Sequence, residues 1–168
     1  MEQKTGTKFS TIYNRFLEKI TDDMYMELTP EDTVLDLRNL LIDAIPGFEF
    51  PRVNLLDYTI IEAENALEEE SSFAADLSSE EINILAILMM IGWTQRQVTS
   101  IENTRMKYSS SDFKFTSQAN HLAKLLTLLQ ETQRQSHHMQ RLYKRRRTDE
   151  NGRYESNWSI LRDSSALN

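Results

Sequence analysis

Apolar side chains recur along this chain in stretches of helical period. Phe9, Ile12, Tyr13, Phe16, Leu17 and Ile20 are spaced by three and four, which predicts a first helix over 9–20 that Thr21-Asp22-Asp23 ends or interrupts. A second helix starts at Thr29-Pro30-Glu31-Asp32, where Thr29 can cap, Pro30 suits the first turn and two acids sit at the positive end of the dipole. Val34, Leu37, Leu40, Leu41, Ala44 and Ile45 form its buried face, and Pro46-Gly47 stops it. The third helix opens on the capping box Ser78-Ser79-Glu80-Glu81 and is apolar nearly all round from Ile82 to Trp93. A helix without a polar face belongs at the centre of a bundle. It turns amphipathic through Val98, Ile101 and Met106, and Gly92 marks a bend or a close approach by a neighbour.

Ser109-Ser110-Ser111-Asp112 breaks the pattern, and Ser117 is the expected cap of the last helix. Leu122, Leu125, Leu126 and Leu129 give that helix an inward stripe. The stripe fades at Gln133, Gln135 and Gln140 before Met139, Leu142 and Tyr143 resume it, so the helix is expected to leave the body at its far end. Between the second and third helices no single period holds: Phe48 to Ile61 reads as a short hairpin or an extended segment, with strand propensity at Tyr58-Thr59-Ile60-Ile61. Residues 62–72 fit either a helix or a solvated loop. After the turn signal Asn151-Gly152, Tyr154, Ser156, Trp158 and Ile160 occupy alternate positions, the pattern of an extended strand with one apolar face and no obvious complementary strand in the chain. The expectation is a mainly α protein: a bundle of about four helices over 1–148 with a short irregular or β segment, and an extended C-terminal arm over 149–168.

Composition narrows the function classes. Four Gly and three Pro in 168 residues favour long helices, and the absence of Cys removes disulfides and thiolate metal sites. No signal peptide is expected, since no apolar run stands behind Met1-Glu2-Gln3-Lys4-Thr5. The longest apolar run is twelve residues and contains Asn83, short of the roughly 20 a membrane span needs, so no membrane is expected as a partner. Charge is distributed unevenly. Residues 1–80 carry eighteen acids and six bases, whereas Arg134–Arg153 holds seven cations against two acids. Such a chain is expected to meet partners, or its own copies, through opposite ends.

No pattern of nucleophile and base, phosphate-cradling glycine loop or paired carboxylates is present, so no enzymatic activity and no cofactor are expected. His137-His138 point to different helix faces without a third ligand at useful spacing, and Glu68-Glu69-Glu70 lacks a calcium-type loop around it, so no metal is expected. Residues 92–103 resemble a DNA-recognition helix only faintly, since no turn precedes them. The candidate interface residues are Arg141, Lys144, Arg145, Arg146 and Arg147, whose cations can fork onto anionic groups, and Tyr154, Trp158 and Ile160, which can anchor the arm on a neighbour. The bland alternatives are a solvated helix end, where cations suit the dipole, and an arm folded onto its own body.

Ile91-Gly92-Trp93, Ile101-Glu102-Asn103, Asp112-Phe113-Lys114, Ser117-Gln118-Ala119-Asn120-His121-Leu122 and Leu142-Tyr143 together resemble small neck proteins of tailed bacteriophages, as do Tyr13–Ile20 and Phe50-Pro51-Arg52. The resemblance implies a structural virion protein, a head-to-tail adaptor made in the host cytoplasm and built into the neck of the virion. Such adaptors are helical bundles with an extended C-terminal arm that form a ring, commonly of twelve copies, beneath the portal protein. The arm or terminal helix grips the portal, the other end receives a stopper or tail completion protein, and viral DNA passes through the lumen without sequence-specific binding. Two other readings stay open: a small nucleic-acid-binding regulator that uses the basic helix end, or another neck or tail-completion protein.

Overall fold

The computed structural model describes residues 6–20, 28–61, 71–107, 115–148 and 154–155. Its four helices are α1 (Phe9–Leu17), α2 (Pro30–Ala44), α3 (Ser79–Lys107) and α4 (Phe115–Arg145). A 3-10 turn, Ile45–Gly47, follows α2 where Pro46 ends the regular ladder. Two small antiparallel pairs complete the fold: β1 (Tyr58–Thr59) with β2 (Ser72–Phe73), and β3 (Arg147–Thr148) with β4 (Tyr154–Glu155). The protein is therefore mainly α-helical, a helical bundle with short β segments.

Helix α3 is the hub. At 29 residues it spans about 43 Å, and α1, α2 and α4 each pack against it. The cap that starts it forms as the sequence predicts: the Glu81 amide donates to Ser78 Oγ at 3.3 Å, while the Ser78 amide donates back to Glu81 Oε2 at 2.7 Å. Ile84, Leu85, Ala86, Ile87 and Met89 are then all buried, which is why the hydrophobic run shows no polar face. Phe9, Ile12, Tyr13 and Phe16 close the core from α1, and Leu37, Leu40, Leu41 and Ala44 from α2. Each buried Leu, Ile or Phe among them contributes about 1.5–3 kcal/mol relative to an exposed one. The α2 cap also forms, with the Asp32 amide donating to Thr29 Oγ1 at 3.2 Å. Gly92 marks a close approach: a Cβ there would lie 3.2 Å from Leu40 Cδ1.

Helix α4 runs antiparallel to α3 and departs from expectation in two ways. It begins at Phe115, so Ser117 lies within its first turn and is not its cap. Its far end does not leave the body. Thr132, Ser136, Gln140 and Tyr143 are buried there at helical spacing, whereas Leu126, placed on the inward stripe by its spacing, is exposed. The helix buries a small and polar line in its second half, and each member of that line takes part in a hydrogen bond. Thr132 Oγ1 donates to the Leu128 carbonyl at 2.7 Å, and Gln140 Nε2 donates to Ser136 Oγ and to the Gly47 carbonyl, both at 3.2 Å.

The expected strand at Tyr58–Thr59 forms and pairs with β2. The opposite edge of β2 is filled by the N-terminal segment before α1: Phe73 N donates to the Thr7 carbonyl and Phe9 N to the Ser71 carbonyl, both at 2.9 Å. That segment passes so close that a Cβ on Gly6 would stand 1.8 Å from the Phe73 carbonyl oxygen, a spacing only glycine tolerates. At the other terminus, β3 supplies a complementary strand for two residues of the expected arm, pairing Thr148 with Tyr154 and Arg147 with Glu155. Trp158 and Ile160 lie outside the described residues, as do 62–70. No helix among the described residues is long and apolar enough to cross a membrane.

Candidate partner-binding surface

The C-terminal end of α4 is held by residues that the sequence scatters over three regions. Tyr143 is 1% exposed, and its hydroxyl donates to Glu81 Oε1 while accepting the Arg52 amide at 3.2 Å. Burial, then the bond to Glu81, pushes the Tyr143 hydroxyl well above the ordinary tyrosine range, so it stays a neutral donor through the physiological range. Glu81 is itself buried, and its second oxygen accepts from the Ser78 amide and hydroxyl. One carboxylate thus starts α3 and fastens the end of α4.

Arg52 performs the second fastening. Its guanidinium lies 4.3 Å from the Tyr143 ring centroid. Its Nη2 donates to the Tyr143 carbonyl at 2.8 Å and also to the Arg146 carbonyl. A helix leaves its last carbonyls without intrahelical partners, and here a planar fork from a distant loop satisfies two groups at that end. The same loop donates its Glu49 amide to Gln140 Oε1 at 2.8 Å.

The predicted interface residues divide accordingly. Arg146 forms an ion pair with Glu80 at 2.8 Å, so its cation is already used within the body. Lys144 stands over the Phe50 ring, 3.7 Å from the centroid. Arg141 and Arg145 are exposed. Arg141 lines a shallow depression of about 600 Å³ with Arg134, His137 and Glu49, and His137 Nδ1 lies 3.3 Å from Glu49 Oε1. Arg134, Arg141 and Arg145 share one helix face by their spacing of seven and four. Arg147 and Tyr154 are placed by their backbones in β3 and β4, while Trp158 and Ile160 lie outside the described residues.

Among the described residues, part of the charge asymmetry of the sequence is cancelled by local contacts. Glu49, Glu80 and Glu81, from the acidic half, meet His137, Arg146 and Tyr143 at one end of the bundle. What α4 presents outward is the residue of this cancellation: exposed Arg134, Arg141 and Arg145. Arg52, Glu49 and Gln140 were not legible as partners of this end, because each contact spans more than ninety positions in sequence. Among the described residues, no group of three or more His, Asp or Glu is placed to hold a metal ion.

No protein-family model, curated protein or solved structure matches the chain.

Proposed function

We propose that this chain is a structural, non-enzymatic virion protein of a tailed phage: a head-to-tail adaptor that forms a ring beneath the portal and links it to the stopper or tail while DNA passes through the lumen. The reading rests first on the run of neck-protein-like segments between Ile91 and Tyr143. The single structural observation that supports it is how the body closes. The described core is filled by residues from Phe9 to Tyr143, and α4 ends in exposed cations just before the aromatic C-terminal segment. Among the described residues the core ends at Tyr143, and in this reading the segment beyond it meets another polypeptide.

In this reading Arg141 and Arg145 meet acidic groups of the portal, while Tyr154, Trp158 and Ile160 act as anchors. The net charge of −7 suits a lumen through which a polyanion slides without sticking. Co-expression with the portal protein of the same phage, followed by sizing, tests the reading. A large cyclic complex that is lost on trimming residues 150–168 is the expected result; two proteins that elute separately refute it.

The line of Arg134, Arg141 and Arg145 favours a second reading, a small nucleic-acid-binding regulator, because such a row can follow a phosphate backbone. Binding of generic duplex DNA that weakens steeply with salt distinguishes it from the adaptor, for which no such affinity is expected.

A further inference from the structure

The small sheet at the base of the bundle has one open edge. β2 is occupied on both sides, by β1 and by residues 7–9, which leaves the outer side of β1 as the free margin among the described residues. The register fixes which groups lie on that margin. The Ala74 amide donates to the Asp57 carbonyl and the Ile61 amide to Ser71 Oγ, so positions 57, 59 and 61 turn their main-chain groups toward β2. Tyr58 and Ile60 therefore turn theirs outward. Apolar side chains flank this margin: Leu56 is 75% exposed, Ile60 42% and Ile61 40%. An unpaired edge with exposed aliphatics is a template for an added strand.

We propose that the outer edge of β1 receives the C-terminal segment 156–168 of a second copy of this chain as an added strand. The proposal rests on the ring reading above and supplies its subunit contact. Three observations select this occupant. Ser156, Trp158 and Ile160 continue the alternation of Tyr154, so an added strand turns Trp158 and Ile160 to one side, where the aliphatics of the edge can cover them. Thirteen residues follow Glu155, and in extended form they reach about 43 Å, enough to cross to a neighbour. Pairing of β1 with the same strand of a second copy offers no opposite charge to Asp57, whereas 156–168 brings Arg162 as well as Asp163. An arm-to-edge contact is heterologous, the kind of contact that forms a ring when its rotation closes.

The chain has no cysteine, so introduced thiols report cleanly. One full-length protein carries Ile61→Cys and another Ser156→Cys; the two are mixed at high concentration and joined with a short bismaleimide. The expected product is a covalent heterodimer in excess over either homodimer. Adding Ile60→Pro to the edge partner removes an outward amide and leaves the inward bonds of β1 in place, so the heterodimer yield falls several-fold while the circular dichroism spectrum is unchanged. Leu56→Asp, at a side chain the fold does not bury, gives the same loss without any change of backbone. Absence of the heterodimer, or a yield indifferent to both substitutions, overturns the proposal. So does a purely internal link in a single chain bearing both cysteines, which would place the arm on its own edge. Portal binding is a separate readout: if it fails while the heterodimer forms, the portal reading falls and the arm-to-edge contact stands.

Discussion

Replacing Tyr143 by Phe removes one oxygen atom from the joint between α3 and α4 and leaves the ring in place. That oxygen donates to Glu81 and accepts the Arg52 amide, and the joint is closed to water, with Tyr143 1% and Glu81 4% exposed. Leaving a buried acceptor without its donor costs about 1–3 kcal/mol. Glu81 keeps the two bonds from Ser78, so about 2 kcal/mol at pH 7 is expected here, with the m-value unchanged. The alkaline limb carries the stronger test. The folded pKa of Tyr143 is raised above its unfolded value near 10, so the neutral hydroxyl contributes its full stability below about pH 10 and loses it as pH rises beyond. The loss runs at about 1.4 kcal/mol per pH unit and is absent from Tyr143→Phe. The two proteins should converge in stability about one and a half units above pH 10, however the rest of the molecule responds to base. Urea unfolding followed by far-UV circular dichroism at several alkaline pH values measures this. Parallel stability curves for the two proteins from pH 7 to 11.5 would refute the assignment of that hydroxyl to the joint.

Gln140→Leu fills a similar volume but strands the Glu49 amide and the Gly47 carbonyl; a loss of about 1–3 kcal/mol in chemical denaturation is expected, against a gain if the site were simply apolar. Gly6→Ala drives a methyl group to 1.8 Å from a backbone oxygen, so the N-terminal segment must separate from β2, and amide exchange at Phe73 and Phe9 should accelerate while α3 stays protected. Ser78→Ala removes the acceptor of the Glu81 amide and a donor to its carboxylate, costing about 1 kcal/mol, read as a thermal midpoint lower by about 2–4 °C.

Local signals carried most of the helical framework. The caps at Thr29 and Ser78 and the stop at Pro46 need only neighbouring residues, and each forms as spacing predicts. The second half of α4 was not legible for a physical reason. Hydrophobic periods follow apolar residues, whereas that helix buries Thr132, Ser136 and Gln140: the first two are satisfied within the helix, and Gln140 by Gly47 and Glu49, more than ninety positions away. Leu126 and Leu128 had the opposite fate, exposed despite their chemistry. The sheet was half legible. Strand propensity marked Tyr58–Thr59, but the segment around Lys8 joins β2 through main-chain groups that carry no sequence signature. Of the candidate interface, the basic run was visible, yet which cations stay available was decided by Glu80 and Phe50, from elsewhere in the chain.

That division of the basic run leads to the sharpest separation between body and arm. The last described side chain that ties α4 to the rest of the bundle is Arg146, through Glu80, and the carbonyls fastened by Arg52 also end there. Every described core residue precedes it. Removing residues 156–168 should therefore leave the cap at Ser78, the Glu81–Tyr143 joint and the Arg52 fork intact, and the midpoint of thermal unfolding should move by less than the roughly 2–4 °C that 1 kcal/mol produces in a protein of this size. If the arm acts on a second copy, the same truncation abolishes association at constant stability, because the free energy it supplies is absent from the isolated chain. A truncated protein that melts several degrees lower has lost packing within its own fold. That result would place Trp158 and Ile160 on the body they belong to, and it would remove the arm from any account of assembly.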